Sequence, residues 1–191
     1  MRKLCMVLAI LAFSSMAFAG TVNLQFNGAG SNSYNGISSY PYNFTVNGAT
    51  PEFLMCISYN EHITGGETWQ ATEMTVTAFG TLIGDPLKAE QVAYLFTLAR
   101  ADGGANSAIN AEAWWVMEGV PTPEPDAALL AGFTSGSYPN VGVYVPIDGT
   151  QSWAGELPQT FLGSTPEPST LITLGTGLIG LAGLARKRLF S

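Results

Sequence analysis

The chain has 191 residues, 47% hydrophobic and only 11% charged, with seven basic and fourteen acidic side chains for a formal charge of −7. So few bases exclude a phosphate-gripping surface, and nucleic acid is not an expected partner. Two cysteines and one histidine leave no disulfide framework or histidine-rich metal centre to look for.

At the start, Arg2 and Lys3 precede an apolar stretch over residues 4–13, and Ala17-Phe18-Ala19 offers small residues before Gly20. That is the pattern of a secretory signal peptide over residues 1–19, cut by signal peptidase between Ala19 and Gly20. It is too short and wrongly flanked for a permanent anchor. Residues 20–164 are then expected to form one domain. Its only bases are Lys88 and Arg100 against thirteen acids, a formal −11.

Val22, Leu24 and Phe26 alternate with polar residues, which predicts a strand over 20–26, followed by a Gly, Ser and Asn-rich loop over 27–39. A second strand is expected over 42–46, a turn at Asn47-Gly48 and a buried strand over 52–59. Over 67–79 strand and helix signals compete. Leu87, Val92, Leu95, Phe96 and Ala99 recur at helical spacing over 86–100, with Asp102-Gly103-Gly104 as the stop. A second helix is predicted from 106 or 107 to 117 and a weaker one over 127–131. Val141, Val143 and Val145 mark a further strand over 140–146, and 159–162 closes the sheet. The expected fold is a β-rich α+β domain, an antiparallel sandwich or barrel with a helical insertion at about 86–131.

The chemistry-bearing residues admit bland readings beside sharper ones. Once Cys5 leaves with the leader, Cys56 is the sole thiol, set in Phe53-Leu54-Met55-Cys56-Ile57. It reads as a buried small hydrophobe, with a functional sulfur or intermolecular pairing as alternatives. His62 is six residues further on, roughly 20 Å along an extended strand, too far for a Cys–His pair unless the chain turns sharply. A surface histidine is the simpler reading. Glu61, Glu67 and Glu73 share an acidic stretch but lack the spacing of a calcium loop, and neither a metal nor a cofactor is expected. Trp114 and Trp115 fall on different sides of a helix, so at most one fits the core easily. Trp115 or Trp153 is therefore the candidate exposed aromatic for stacking on a sugar. Asn43-Phe44-Thr45 matches the glycosylation sequon, a short pattern that arises often by chance.

The C-terminal stretch carries the strongest signal: Pro166-Glu167-Pro168, an uncharged run over 169–185 with four glycines, then Arg186-Lys187-Arg188. As a helix the run spans roughly 25 Å, slightly short of a hydrocarbon core. A transmembrane helix is expected, with the basic residues held on the cytoplasmic side and the acidic body outside. The edge of a soluble helix hairpin is the bland alternative. A second tripeptide, Pro123-Glu124-Pro125, leads to Asp126 and only a brief apolar patch, so it reads as a loop.

Leader, Pro-Glu-Pro, glycine-bearing apolar helix and basic stop together resemble the PEP-CTERM proteins, with residues 165–191 as the sorting signal. The resemblance implies export in a Gram-negative bacterium, transient tethering in the inner membrane and cleavage near Pro166-Glu167-Pro168 by an exosortase. Delivery would be to the cell surface or an extracellular polymer (biofilm) matrix, with extracellular polysaccharide as a further partner. The central region is similar, more distantly, to thioester-forming adhesin domains of Gram-positive surface proteins, through Leu54-Met55-Cys56-Ile57, Gly66-Glu67-Thr68-Trp69 and Ala93-Tyr94-Leu95. In that family a Gln four residues before a helical Trp joins the Cys sulfur. Counting back from Trp114 gives Asn110, and Glu112-Ala113 stands where Ala-Ile is expected. Asn is one methylene short, about 1.5 Å, which spoils the attack geometry. The sequence thus points to a non-enzymatic exported protein, with a glycan- or protein-binding module, or a Cys56 thioester adhesin, as alternatives.

Overall fold

Alternation along the chain builds the sheet. The computed structural model describes residues 20–49, 51–153 and 157–165. In β1 (Gly20–Ala29), Val22, Leu24 and Phe26 are buried while Thr21, Asn23 and Gln25 are exposed. The strand bends at a register shift between Phe26 and Gly28, where Gly28 takes φ 138°. A two-residue ladder, β2 (Ser33–Tyr34) with β3 (Ile37–Ser38), fills part of the stretch expected as loop. β4 (Tyr42–Val46) then pairs with β1, and Asn47 and Gly48, with φ 52° and 70°, turn the chain into β5 (Pro51–Cys56).

The ambiguous segment is both elements in succession. β6 (Thr68–Thr75) runs directly into α1 (Val76–Ile83), with the Thr75 hydroxyl accepting the Ala78 N–H at 3.2 Å as N-cap. The helical insertion therefore starts ten residues earlier than expected. Gly84 ends α1, Asp85 caps α2 (Pro86–Ala101) by accepting the Lys88 N–H, and Asn106 caps α3 (Ser107–Glu118). The weak third helix is a 3₁₀ turn, Ala127–Gly132. β7 (Val141–Pro146) and β8 (Phe161–Ser164) complete the sheet.

Six strands close into an antiparallel barrel in the order β1-β4-β5-β8-β7-β6, with β6 returning to β1. Of the two expected architectures the chain adopts the barrel, which leaves no long unpaired edge. Its interior is filled by Val22, Leu24, Phe26, Tyr42, Phe44, Leu54, Cys56, Trp69, Tyr144 and Phe161. Phe161 lies 4.7 Å from Phe44 and 5.6 Å from Tyr42 between ring centroids. The outward residues Met55, Ile57, Val141, Val143 and Leu162 meet Val92, Leu95, Phe96, Ile109 and Ala113 of the helices. β7, β8 and residues 54–56 of β5 are thus buried on both faces, which explains their apolar runs. β1 and β4 keep an outward face open.

Among the described residues no helix is long and apolar enough to cross a membrane. The expected span over 169–185, the leader over 1–19, the motif Pro166, Glu167 and Pro168 and the stop Arg186, Lys187 and Arg188 lie outside the described residues. Gly20, the expected new N-terminus, is the first residue of β1.

Candidate functional site

Cys56 ends β5 inside the barrel, fully buried and free, its thiol donating to the Ser58 carbonyl at 3.1 Å. Burial pushes that thiol up to about 12, with Glu61 and Glu118 adding in the same direction. Asn110, 1% exposed in the middle of α3, is brought to the same place. Its amide donates to the Cys56 carbonyl at 2.7 Å while its oxygen accepts the Tyr40 N–H, also at 2.7 Å. Asn110 therefore meets the main chain of Cys56, and both ends of its amide are spent on backbone. Chemically the pair is a clasp joining α3 to β5 and to the segment before β4. A protonated, enclosed sulfur is a poor nucleophile.

The end of α3 holds the loop beyond Cys56. Glu118 accepts from the Tyr59 N–H at 3.0 Å, the Asn60 N–H at 3.3 Å and the Asn60 side chain at 2.6 Å, and Tyr59 packs edge-on against Trp114. His62, in that loop, is exposed, whereas the Cys56 sulfur is enclosed. The three acids considered for calcium go separate ways. Glu67 is buried and accepts the Thr64 N–H, Glu61 lies by Ser58, and Glu73 takes the Tyr144 hydroxyl at 3.5 Å. No group of three or more His, Cys, Asp and Glu able to hold a metal occurs among the described residues.

Two acidic clusters escaped the sequence reading. Glu52 and Glu73 share one end of the barrel, and burial raises both, each of them facing Tyr144. Glu112, fully buried in α3, accepts the Asp126 N–H at 3.1 Å through Oε2 and has the Glu124 carboxyl beside it. Burial, reinforced by the neighbouring Glu124 and Asp126, pushes its carboxyl up to about 7. The sequence hint was there: Glu112 stands among Ala111, Ala113 and Trp114, on what is otherwise an apolar stretch.

Trp114 is buried and Trp115 half-buried, whereas Trp153 is 54% exposed. Trp153 follows Ser152, whose N–H donates to the Thr68 carbonyl at 2.8 Å and whose hydroxyl accepts the Thr68 N–H at 3.0 Å. Beside that join, on the face of the barrel that the helices leave open, is a groove of about 480 Å³. It is lined by the side chains of Asn23, Gln25, Thr45, Thr68, Gln70 and Thr150, with Leu24, Trp69 and Gly48 completing the lining. Every second residue of β1 and β6 supplies one of these side chains, an alternation readable in sequence but read there only for its apolar half.

Residues 164–188 match the family model described as the PEP-CTERM protein-sorting motif. No curated protein and no solved structure matches the chain, so the resemblance to thioester-forming adhesins gains no support. The chain carries a PEP-CTERM sorting motif, which implies exosortase processing, export and membrane-associated sorting toward the cell surface.

Proposed function

We propose that this is a non-enzymatic exported protein, delivered to the cell surface or released into an extracellular polymer matrix. Signal peptidase would free Gly20, the 169–185 segment would hold the chain in the inner membrane, and an exosortase would cut near Pro166-Glu167-Pro168. The observation that carries this is the sorting motif over residues 164–188. The acidic body suits it, because a formal −11 keeps a domain soluble beside anionic lipid headgroups. The enclosed Cys56 and the fully engaged Asn110 amide favour a structural role for both over thioester chemistry.

Replacing Glu167 with Ala, or deleting the exosortase gene of the host, tests the reading. The uncut chain should accumulate in the membrane fraction while the wild type is released. Equal release of wild type and variant in the intact host would overturn it.

A further inference from the structure

We propose that the open face of the barrel is a binding site for a neutral polysaccharide. The proposal rests on the reading above, in that the domain must reach a compartment where such polymers occur. It also names the ligand class and the residues that take it.

Register sets the site. Gln25 of β1 lies opposite Thr45 of β4 on one side and Thr68 of β6 on the other, and Asn23 lies opposite Gln70. With strands about 4.8 Å apart, three neighbouring strands present a small lattice of amides and hydroxyls. The amides of Asn23, Gln25 and Gln70 and the Thr68 hydroxyl each donate and accept hydrogen bonds, as sugar hydroxyls do, while the Thr150 hydroxyl is spent on the Gln70 N–H and the Ile147 carbonyl and the Thr45 hydroxyl accepts from Asn27. None of the nine lining residues is ionisable, although the domain around them carries a formal −11. A polyanion would be repelled by the body and find no Lys or Arg in the groove, and a polycation would find no carboxylate there to pair with, so the lining itself suits a neutral occupant. The volume of about 480 Å³ falls within the roughly 300–1,000 Å³ of small-molecule sites.

Both walls are built in advance. On one side the turn is tied to β1, with Asn47 N–H donating to the Asn23 carbonyl at 2.8 Å and its side-chain oxygen accepting the Asn23 N–H at 2.9 Å. On the other, residues 147–152 are tied to β6: Ile147 donates to the Gln70 carbonyl at 2.8 Å, and the Thr150 hydroxyl accepts the Gln70 N–H at 3.0 Å. Beneath the floor, Trp69 is 2% exposed and packs edge-on against Phe44 at 5.6 Å. A groove held this way orders little on binding, which favours affinity. Trp153, at the end of the second wall, supplies the exposed aromatic surface on which a sugar ring stacks.

The test uses the full chain in a zwitterionic detergent that contains no sugar, titrated with cello-, malto- and chito-oligosaccharides, dextran, alginate and an unstructured peptide. At least one neutral glycan should bind, with an affinity unchanged by added salt. Gln70→Ala and Trp153→Ala should each weaken it by about tenfold, and Phe53→Ala, exposed on β5, should leave it intact. If Gln70→Ala fails to fold, Gln25→Ala replaces it. Binding of no neutral glycan, equal binding by wild type and groove variants, or binding of alginate or peptide alone would overturn the proposal. Glu167→Ala should bind glycan as the wild type does, so loss of sorting and loss of binding are separable.

Discussion

Asn110→Ala should be among the most damaging single substitutions in the domain. Asn110 is 1% exposed, and its two hydrogen bonds, each 2.7 Å, satisfy the Tyr40 N–H and the Cys56 carbonyl of residues that are 7% and 0% exposed. Stranding a buried donor or acceptor costs about 1–3 kcal/mol each, so the variant should lose roughly 2–5 kcal/mol. For a domain of this size that is a fall in Tm of roughly 5–20 °C. Asn110→Leu keeps much of the volume but neither bond and should fall by a similar amount. Asn110→Asp should do worse near neutral pH, because a buried carboxylate then faces the Cys56 carbonyl, and should recover in part in acid. Thermal unfolding followed by tryptophan fluorescence reads all three. A stable Asn110→Leu variant would refute the clasp. So would a native chain about 17 Da light, the loss of ammonia expected if the Asn110 amide had condensed with the sulfur.

Cys56 should resist thiol reagents at pH 8 in the folded protein and react fully once unfolded, since it is enclosed and its thiol is pushed up to about 12; labelling of the native chain would contradict this. Glu112 should make stability pH-dependent. Its folded value of about 7 lies above the ordinary 4.5, so its contribution is complete below 4.5 and lost as pH rises through 7. Denaturation at pH 5 and pH 8 should therefore show a smaller loss in Glu112→Gln than in wild type, and an equal loss would refute the assignment. Gly163→Ala places a Cβ 2.5 Å from Leu54 Cδ2 and 2.7 Å from Tyr144 Cε2, and should cost about 1–3 kcal/mol in a melting experiment. An unchanged Tm would mean the barrel interior is looser than described.

Local chemistry was the legible part of the fold. Alternation gave Tyr42–Val46 without error, and helical spacing with an Asp-Gly-Gly stop gave Pro86–Ala101 within a residue of its end. Residues 67–79 resisted because Thr75 is at once the last residue of β6 and the N-cap of α1, leaving no turn signal between them. The sequence left sandwich and barrel open, and the strand order that closes the barrel was not readable. It depends on β8 entering between β5 and β7, a pairing over a hundred residues apart that no local pattern encodes. For the candidate site, Cys56 was recognisable as buried from its apolar neighbours, and Asn110 came in through a family spacing whose chemistry its shorter side chain argues against. Glu112 and the neutral groove carry no motif; both arise from which face of an element a polar residue occupies, and that is set by the fold.

The intact mass of the chain recovered outside the cell tests its sorting most directly. It should begin at Gly20 and end within or near Pro166-Glu167-Pro168, and a strain lacking the exosortase should not release that species. A chain recovered from the cytosol with residues 1–19 and 169–191 still attached, and none outside, would contradict it.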